Sequence, residues 1–343
     1  MVKPILCLCT SVLLASAAAG GDPLGHRDVQ LTYTATVPTI PEDAKVIDLW
    51  LPVAQDTDGQ TVSKVTVNYP EGGAIATERG HGNKIWHKRF EAPFDDDLHD
   101  GAIGAEIAFE IHRTEIVVQQ AKDLSPTPKV TGKFAKYLEP NRLIPINIDP
   151  INATAENLYL KDAAPIVAAR RIYDWLITEF TYNWKAPGAG TGDVRWACDS
   201  KTGDCTDYHS TFLALCRNQG IPADHEFGYP IRLKTSEGKI PSYHCWARFH
   251  VEGVGWIPID ASEADKHPEI REYNFGSQSQ DLLKFTHGRD VVLTPPQQGP
   301  PLNVFIHPYV EIDGKPYEEV TEAVYFRDLG TKALLQNKLA KSV

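Results

Sequence analysis

Between Gly203 and Asp260 the chain offers a cysteine, a histidine and an aspartate, each in a different structural context, and few folds accommodate that order. Cys205 follows Gly203-Asp204. After it Tyr208, Phe212, Leu213, Leu215 and Cys216 share a helical face, and Gly220-Ile221-Pro222 ends the helix. The spacing predicts Cys205 in the first helical turn. There the unpaired N–H groups and the helix dipole favour a thiolate and can hold an oxyanion. A cysteine taken by itself is more often a small buried hydrophobe; the strands downstream of Cys205 argue otherwise. Tyr243 to Val251 alternates like a strand, as does Gly255 to Ala261, and Glu252-Gly253-Val254 turns between them. A hairpin centred on Glu252 sets His244 opposite Asp260 and Trp246 opposite Pro258. Directly opposed Cβ atoms are about 5 Å apart, so a carboxylate there could hold one imidazole nitrogen and leave the other for the thiol. A one-residue slip would break the pairing, and the competing reading is an incidental polar pair on a sheet. The three roles in this order are those of a thiol nucleophile, its base and an orienting acid.

Other residues near this stretch are weaker candidates. Trp184, Trp196 and Trp246 are candidates for walling a cleft or donating an indole N–H to an oxyanion, with core packing as the alternative. His209, one turn after Cys205, could face the site, with a capping or surface role as the preferred reading. Cys216 reads as packing. Cys245 alternates away from His244 and is expected in the core or against Cys198.

These segments resemble the transglutaminase-like superfamily of papain-fold cysteine enzymes. The residues that carry the resemblance are Gly203-Asp204-Cys205, the helix to Arg217, Gly220-Ile221-Pro222-Ala223, His244-Cys245-Trp246 and Gly255-Trp256-Ile257-Pro258-Ile259-Asp260. It covers residues 160–265. The resemblance implies an α+β core, with a nucleophile helix packed on an antiparallel sheet. It implies Cys205 as nucleophile, His244 as base and Asp260 as its orienter. It also implies acyl transfer on protein or peptide amides through a thioester, ending in hydrolysis, deamidation or amine cross-linking. Some members have lost catalysis, so a non-catalytic envelope-binding module is the alternative. The calcium loop of animal transglutaminases is missing, and no cofactor is expected.

The rest of the chain is consistent with a secreted member. Lys3, an apolar run from Pro4 to Ala15 and Ala17-Ala18-Ala19 read as a signal peptide over 1–19, too short to span a membrane comfortably. Residues 22–120 read as an all-β sandwich. The odd positions from Val29 to Val37 are apolar; Val65, Val67 and Tyr69 alternate too, as do Ile103 to Ile111. Lys45 to Leu51 and Lys84 to Phe90 are further strands. Asp95-Asp96-Asp97 lacks the ligand spacing of a calcium loop and reads as solvated. Residues 121–162, rich in proline and poor in period, read as an extended connector with a glycosylation sequon at Asn152. From Pro165 a helix begins, and the catalytic domain is expected over 163–330.

Composition narrows the classes. With 42% hydrophobic and 23% charged residues most of the chain is expected to fold. A net charge of −11 and the lack of Lys/Arg-rich runs argue against nucleic acid as partner. The cysteines beyond the signal, Cys198, Cys205, Cys216 and Cys245, are too few for a disulfide framework and lack zinc-like pairs. A structural metal held by Cys198, Cys205, His209 and His244 is the remaining alternative; no metal is the expectation. Oligomeric state is not legible.

Overall fold

Alternation in the first hundred residues becomes strand. In the computed structural model β1 (His26–Val37) buries every odd position from Val29 onward and leaves the even ones partly exposed. The structure describes residues 25–118, 132–231 and 235–330; the signal segment 1–19 and the first part of the connector lie outside them. Next come β2 (Val46–Val53), β3 (Gln60–Tyr69), β4 (Ala74–Thr77), β5 (Lys84–Glu91), β6 (Ile103–Thr114) and the short β7 (Ile116–Val117). Asp95–Asp97 is one turn of 3-10 helix with no buried residue.

The connector is more structured than its prolines imply. Gly132–Leu138 forms a 3-10 helix and Asp149–Asn157 is helix α1, begun by Pro150 in its first turn. The sequon residue Asn152 lies on α1. Helix α2 (Pro165–Glu179) buries Ala168, Ala169, Ile172, Tyr173 and Leu176. The stretch 182–200, expected as a loop, contains helix α3 (Val194–Ser200), capped by Asp193, between the short parallel strands β8 (Thr181–Tyr182) and β9 (Thr202–Gly203).

Helix α4 (Cys205–Asn218) buries every residue from Cys205 to Arg217. It packs on the sheet made by β10 (Ala223–Pro230), β12 (His244–Val251), β13 (Gly255–Ile259) and β15 (Leu282–His287), in the order β13-β12-β10-β15. This is the helix-on-antiparallel-sheet core expected. Between these strands come β11 (Glu237–Ile240), helix α5 (Ala261–Lys266) and β14 (Ser277–Gln278); after β15 come β16 (Tyr309–Ile312), β17 (Lys315–Pro316) and β18 (Thr321–Asp328).

Two five-stranded sheets form the sandwich, ordered β11-β18-β1-β6-β3 and β17-β16-β2-β5-β4. Their shared core includes Leu31, Tyr33, Leu49, Leu51, Trp86 and Phe109. The expectation that residues 163–330 form one catalytic domain is corrected here. Strand β18 runs antiparallel to β1, from Thr36 against Thr321 to Val29 against Asp328, and β16 pairs with β2. The sandwich therefore draws on both ends of the chain. The reason is backbone satisfaction: without β18 and β16, β1 and β2 would be open edges with unpaired N–H and C=O groups.

The hairpin register also differs. Val251 pairs with Gly255, His250 with Trp256 and Arg248 with Pro258, so the turn centres on Gly253, whose φ is +77°. The positive φ explains why the glycine takes the apex. Asp260 thus lies beyond the end of β13, not across from His244. The pairing moved by an even number of positions, so the face that His244 presents is unchanged.

The even-numbered face of the central sheet is charged yet buried. Asp224, Glu226, Arg248 and Lys284 are all at least partly enclosed, and each has partners. Arg248 bonds Asp224 at 2.9 Å and Glu226 at 3.1 Å; Lys284 bonds Glu226; His287 Nδ1 meets Asp224 at 2.8 Å. Pairing of this kind is what makes buried charge tolerable.

Candidate active site

Two acidic residues fix where Cys205 sits. The Asp204 side chain accepts the Thr206 N–H at 2.7 Å as the N-cap of α4. The Asp207 carboxylate reaches back to accept the Asp204 N–H at 2.9 Å, closing a capping box. Asp207 also accepts the N–H groups of Gly190 and Gly192, each at 2.8 Å, and so clamps the loop before α3 onto the helix start. Burial pushes the Asp207 carboxyl up to about 6, against the pull of those N–H donors. Cys205 is thus the first residue of its helix, as the spacing predicted, and is 5% exposed.

His244 and Asp260 meet at 2.6 Å through Nε2 and Oδ2. The other Asp260 oxygen accepts Ser262 Oγ at 3.0 Å and the Glu263 N–H at 2.9 Å, which caps α5. Burial would raise the Asp260 carboxyl, but His244 and these donors hold it well below the usual carboxylate range. Burial would likewise depress His244, yet Asp260 and Cys205 outweigh it and hold the imidazole protonated well above its ordinary range. With Nε2 committed to Asp260, Nδ1 is the nitrogen left for Cys205.

The Cys205 thiol is held down at about 6. The largest cause is the Cys245 thiol facing it; burial opposes, His244 adds its hydrogen bond and charge, and Asp204 works against ionisation. Cysteine, histidine and aspartate come together as a buried thiolate–imidazolium–carboxylate row, an arrangement suited to nucleophilic attack on a carbonyl. The row opens on a cleft of about 740 Å³ that Tyr182, Trp184, Tyr243, Trp246 and Glu263 help to line.

The three tryptophans separate. Trp184 lines the cleft and is 65% exposed. Trp246 lines it too, but its indole N–H donates to Glu226 Oε2 at 2.6 Å, so it is spent on the buried charge cluster and is no oxyanion donor. Trp196 is not a cleft residue: it is partly buried against the helical core, and its ring lies where a side chain on Gly188 would have to go.

His209 is neither cap nor surface. It is fully buried, accepts the Ala261 N–H through Nε2 at 3.2 Å and lies 3.6 Å from Asp260 Oδ1. Burial pushes it down to about 4, so it is neutral, with its proton on Nδ1. Cys245 does not meet Cys198. Its sulfur lies 3.7 Å from Thr206 Oγ1 and 3.8 Å from His209 Nδ1, while Cys198 and Cys216 pack in the helical core, where burial lifts both thiols. All four cysteines among the described residues are free.

The metal set read from the sequence is not assembled. The ligand atoms that do converge, within 4.8 Å, belong to His209, His225 and Cys245. They suit a cation poorly. His209 Nε2 is an acceptor for Ala261, so Nδ1 carries the proton. His225 Nδ1 faces the Arg289 guanidinium at 3.4 Å, so its proton sits on Nε2. Each imidazole would have to give up its hydrogen bond to ligate, beside a fixed positive charge.

Sequence reasoning passed over Asp207, Glu226 and Tyr243, and preferred a capping or surface role for His209. The Asp-x-x-Asp spacing at 204 and 207 was a usable capping signal. The others depend on partners far along the chain.

An uncharacterized protein of Haemophilus influenzae is 27% identical over 323 residues, covering 84% of this chain and 86% of its own. A solved structure of a candidate cysteine protease from Cytophaga hutchinsonii superposes with a TM-score of 0.60 at 15% identity, over 91% of this chain and 92% of that one. This second likeness is one of fold. The periplasmic domain of TgpA from Pseudomonas aeruginosa is more distant, with a TM-score of 0.37 at 14% identity over 72% of this chain and 91% of that domain. Residues 152–261, which contain Cys205, His244 and Asp260, match the family model of the transglutaminase-like superfamily and form a domain of that superfamily.

Proposed function

We propose that this protein is a secreted, cysteine-dependent acyl-transfer enzyme acting on amide bonds of peptides or proteins. The observation that carries the reading is the Cys205–His244–Asp260 row at the floor of an open cleft. The Cys205 thiolate attacks an amide carbonyl. The Cys205 backbone N–H, at a helix position with no intrahelical acceptor, steadies the oxyanion. His244, held by Asp260, gives its proton to the leaving amine and later takes one from the incoming acceptor. Water as acceptor makes the enzyme a hydrolase, peptidase or deamidase; a lysine amine makes it a cross-linker. Trp184, exposed at the rim, is assigned to covering the bound peptide. Secretion, into a periplasm or the medium, rests on the segment 1–19. Among the described residues no helix is long and apolar enough to cross a membrane.

The test is mass spectrometry of a generic protein substrate incubated with the enzyme and a small primary amine, with Cys205→Ala as control. Amine joined to glutamine, glutamate in place of glutamine, or a cut backbone each identifies one outcome. Equal product from Cys205→Ala would overturn the reading. An inert Cys205 in both this assay and thiol alkylation would favour the non-catalytic binding module.

A further inference from the structure

Cys245 is a second thiol inside the site, and the acyl-transfer scheme gives it no step. It stands beside His244 on β12 but points to the opposite face, toward the start of α4. There it faces Cys205, with Thr206 Oγ1 at 3.7 Å and His209 Nδ1 at 3.8 Å on either side. Both sulfurs belong to the same buried cluster, whereas Cys198 and Cys216 lie in the other core. Access is unequal. Cys205 lines the cleft and is 5% exposed; Cys245 is 0% exposed and does not line it. A small oxidant entering the cleft therefore meets the thiolate first and finds a buried thiol waiting behind it.

We propose that Cys205 and Cys245 form a reversible disulfide when the site meets hydrogen peroxide, which switches the enzyme off and spares the nucleophile from irreversible oxidation. The inference rests on the reading of Cys205 as a reactive thiolate. In the first step the Cys205 sulfur attacks one peroxide oxygen. The O–O bond breaks, the departing hydroxide takes the proton of the His244 imidazolium and leaves as water, and Cys205 becomes a sulfenic acid. In the second step the Cys245 sulfur attacks the Cys205 sulfur. The S–O bond breaks, and the hydroxyl leaves with the Cys245 proton as a second water. Two thiols and one peroxide give one disulfide and two waters. A dithiol reductant reverses it.

The arrangement distinguishes this site from one with a solitary nucleophile. A sulfenic acid with no thiol behind it advances to sulfinic and sulfonic acids, which a dithiol cannot reduce. Here a second sulfur faces the first, carried on a strand that packs directly against the helix bearing Cys205.

The experiment is peroxide treatment of the whole protein at neutral pH, followed by unfolding in denaturant, iodoacetamide and peptide mass analysis, with and without dithiothreitol. The expected result is two fewer alkylated thiols, a peptide joining Cys205 to Cys245, and full return of Cys205 alkylation after dithiothreitol. In Cys245→Ser, the same peroxide dose should carry Cys205 to sulfinic acid with no return. The proposal is overturned if wild-type Cys205 reaches sulfinic acid as fast as in that variant, or if the joined peptide contains another cysteine. Should Cys245→Ser fail to fold, the wild-type peptide decides alone. Since the readout is mass, a missing disulfide beside Cys205-dependent turnover would remove this proposal and leave the enzymatic reading standing.

Discussion

Asp260 does two jobs with one carboxylate: Oδ2 lies 2.6 Å from His244 Nε2, and Oδ1 accepts the N–H of Glu263 at 2.9 Å at the start of α5. The imidazole is therefore oriented by a group that the fold of α5 also requires. Asp260→Asn keeps the shape but cannot stabilise the imidazolium. Its kcat should fall on the order of 10⁴-fold, the size seen when a triad aspartate is amidated. Stability should fall too, through the lost buried pair with His244 rather than through the cap, which an asparagine keeps. Steady-state kinetics and thermal unfolding separate the two effects, and an unchanged kcat would strike Asp260 from the mechanism.

The thiol at about 6 gives a pH signature. Deprotonation creates the nucleophile, so alkylation of Cys205 by iodoacetamide should be lost as pH falls through about 6 and should be nearly flat from pH 7 to 8. In His244→Ala the midpoint should move up toward the ordinary thiol range, roughly 8.5. Cys198, lifted to about 11 by burial, should stay silent throughout. A midpoint for wild-type Cys205 near the ordinary thiol value would contradict the ion pair.

Buried charge behind the cleft makes a stability prediction with an internal comparison. Glu226 binds Lys284, Arg248 and the Trp246 indole. Glu226→Ala strands Lys284 and an indole N–H, leaves Arg248 only Asp224, and should cost about 3–5 kcal/mol. Lys284→Met leaves Glu226 with Arg248 at 3.1 Å and should cost clearly less. Urea unfolding of both variants at one pH checks the order; equal losses would mean that Arg248 does not carry Glu226.

Gly203 precedes the cap with φ +151°, and a Cβ there would run into the Asp207 carboxyl that binds the Asp204 and Gly190 amides. Gly203→Ala should therefore loosen the helix start that carries Cys205, at a cost of about 1–3 kcal/mol. A lowered Tm together with a raised Cys205 midpoint is expected. An unchanged Tm would show that Asp207 can move aside.

How much of this was legible depended on distance along the chain. The strand β1 and the helix α4 follow from period alone, because Val29 to Val37 and Tyr208 to Cys216 carry their own pattern. The pairing of His244 with Asp260 survived a wrong register because the error was even and the face was kept. The alternation in β12 was misleading in another way. Arg248 looks like a solvent-facing position, but Asp224 and Glu226, over twenty residues earlier, neutralise it inside. Strand β18 was invisible as a sandwich member, since nothing in Thr321–Asp328 names β1 as its partner. His209 and Cys245 could not be placed either. Their positions depend on how far α4 lies over β12, which no local pattern encodes.

The place of β18 has a consequence for how the protein comes into being. It sits between β11 and β1, inside the sheet rather than at its rim, and it ends at Asp328. A nascent chain therefore cannot finish its front module first and add the enzyme afterwards. Strand β1 has to wait, unzipped along one side, until residues 321–328 have been made, and a chain cut short before residue 321 should yield no smaller working version of it.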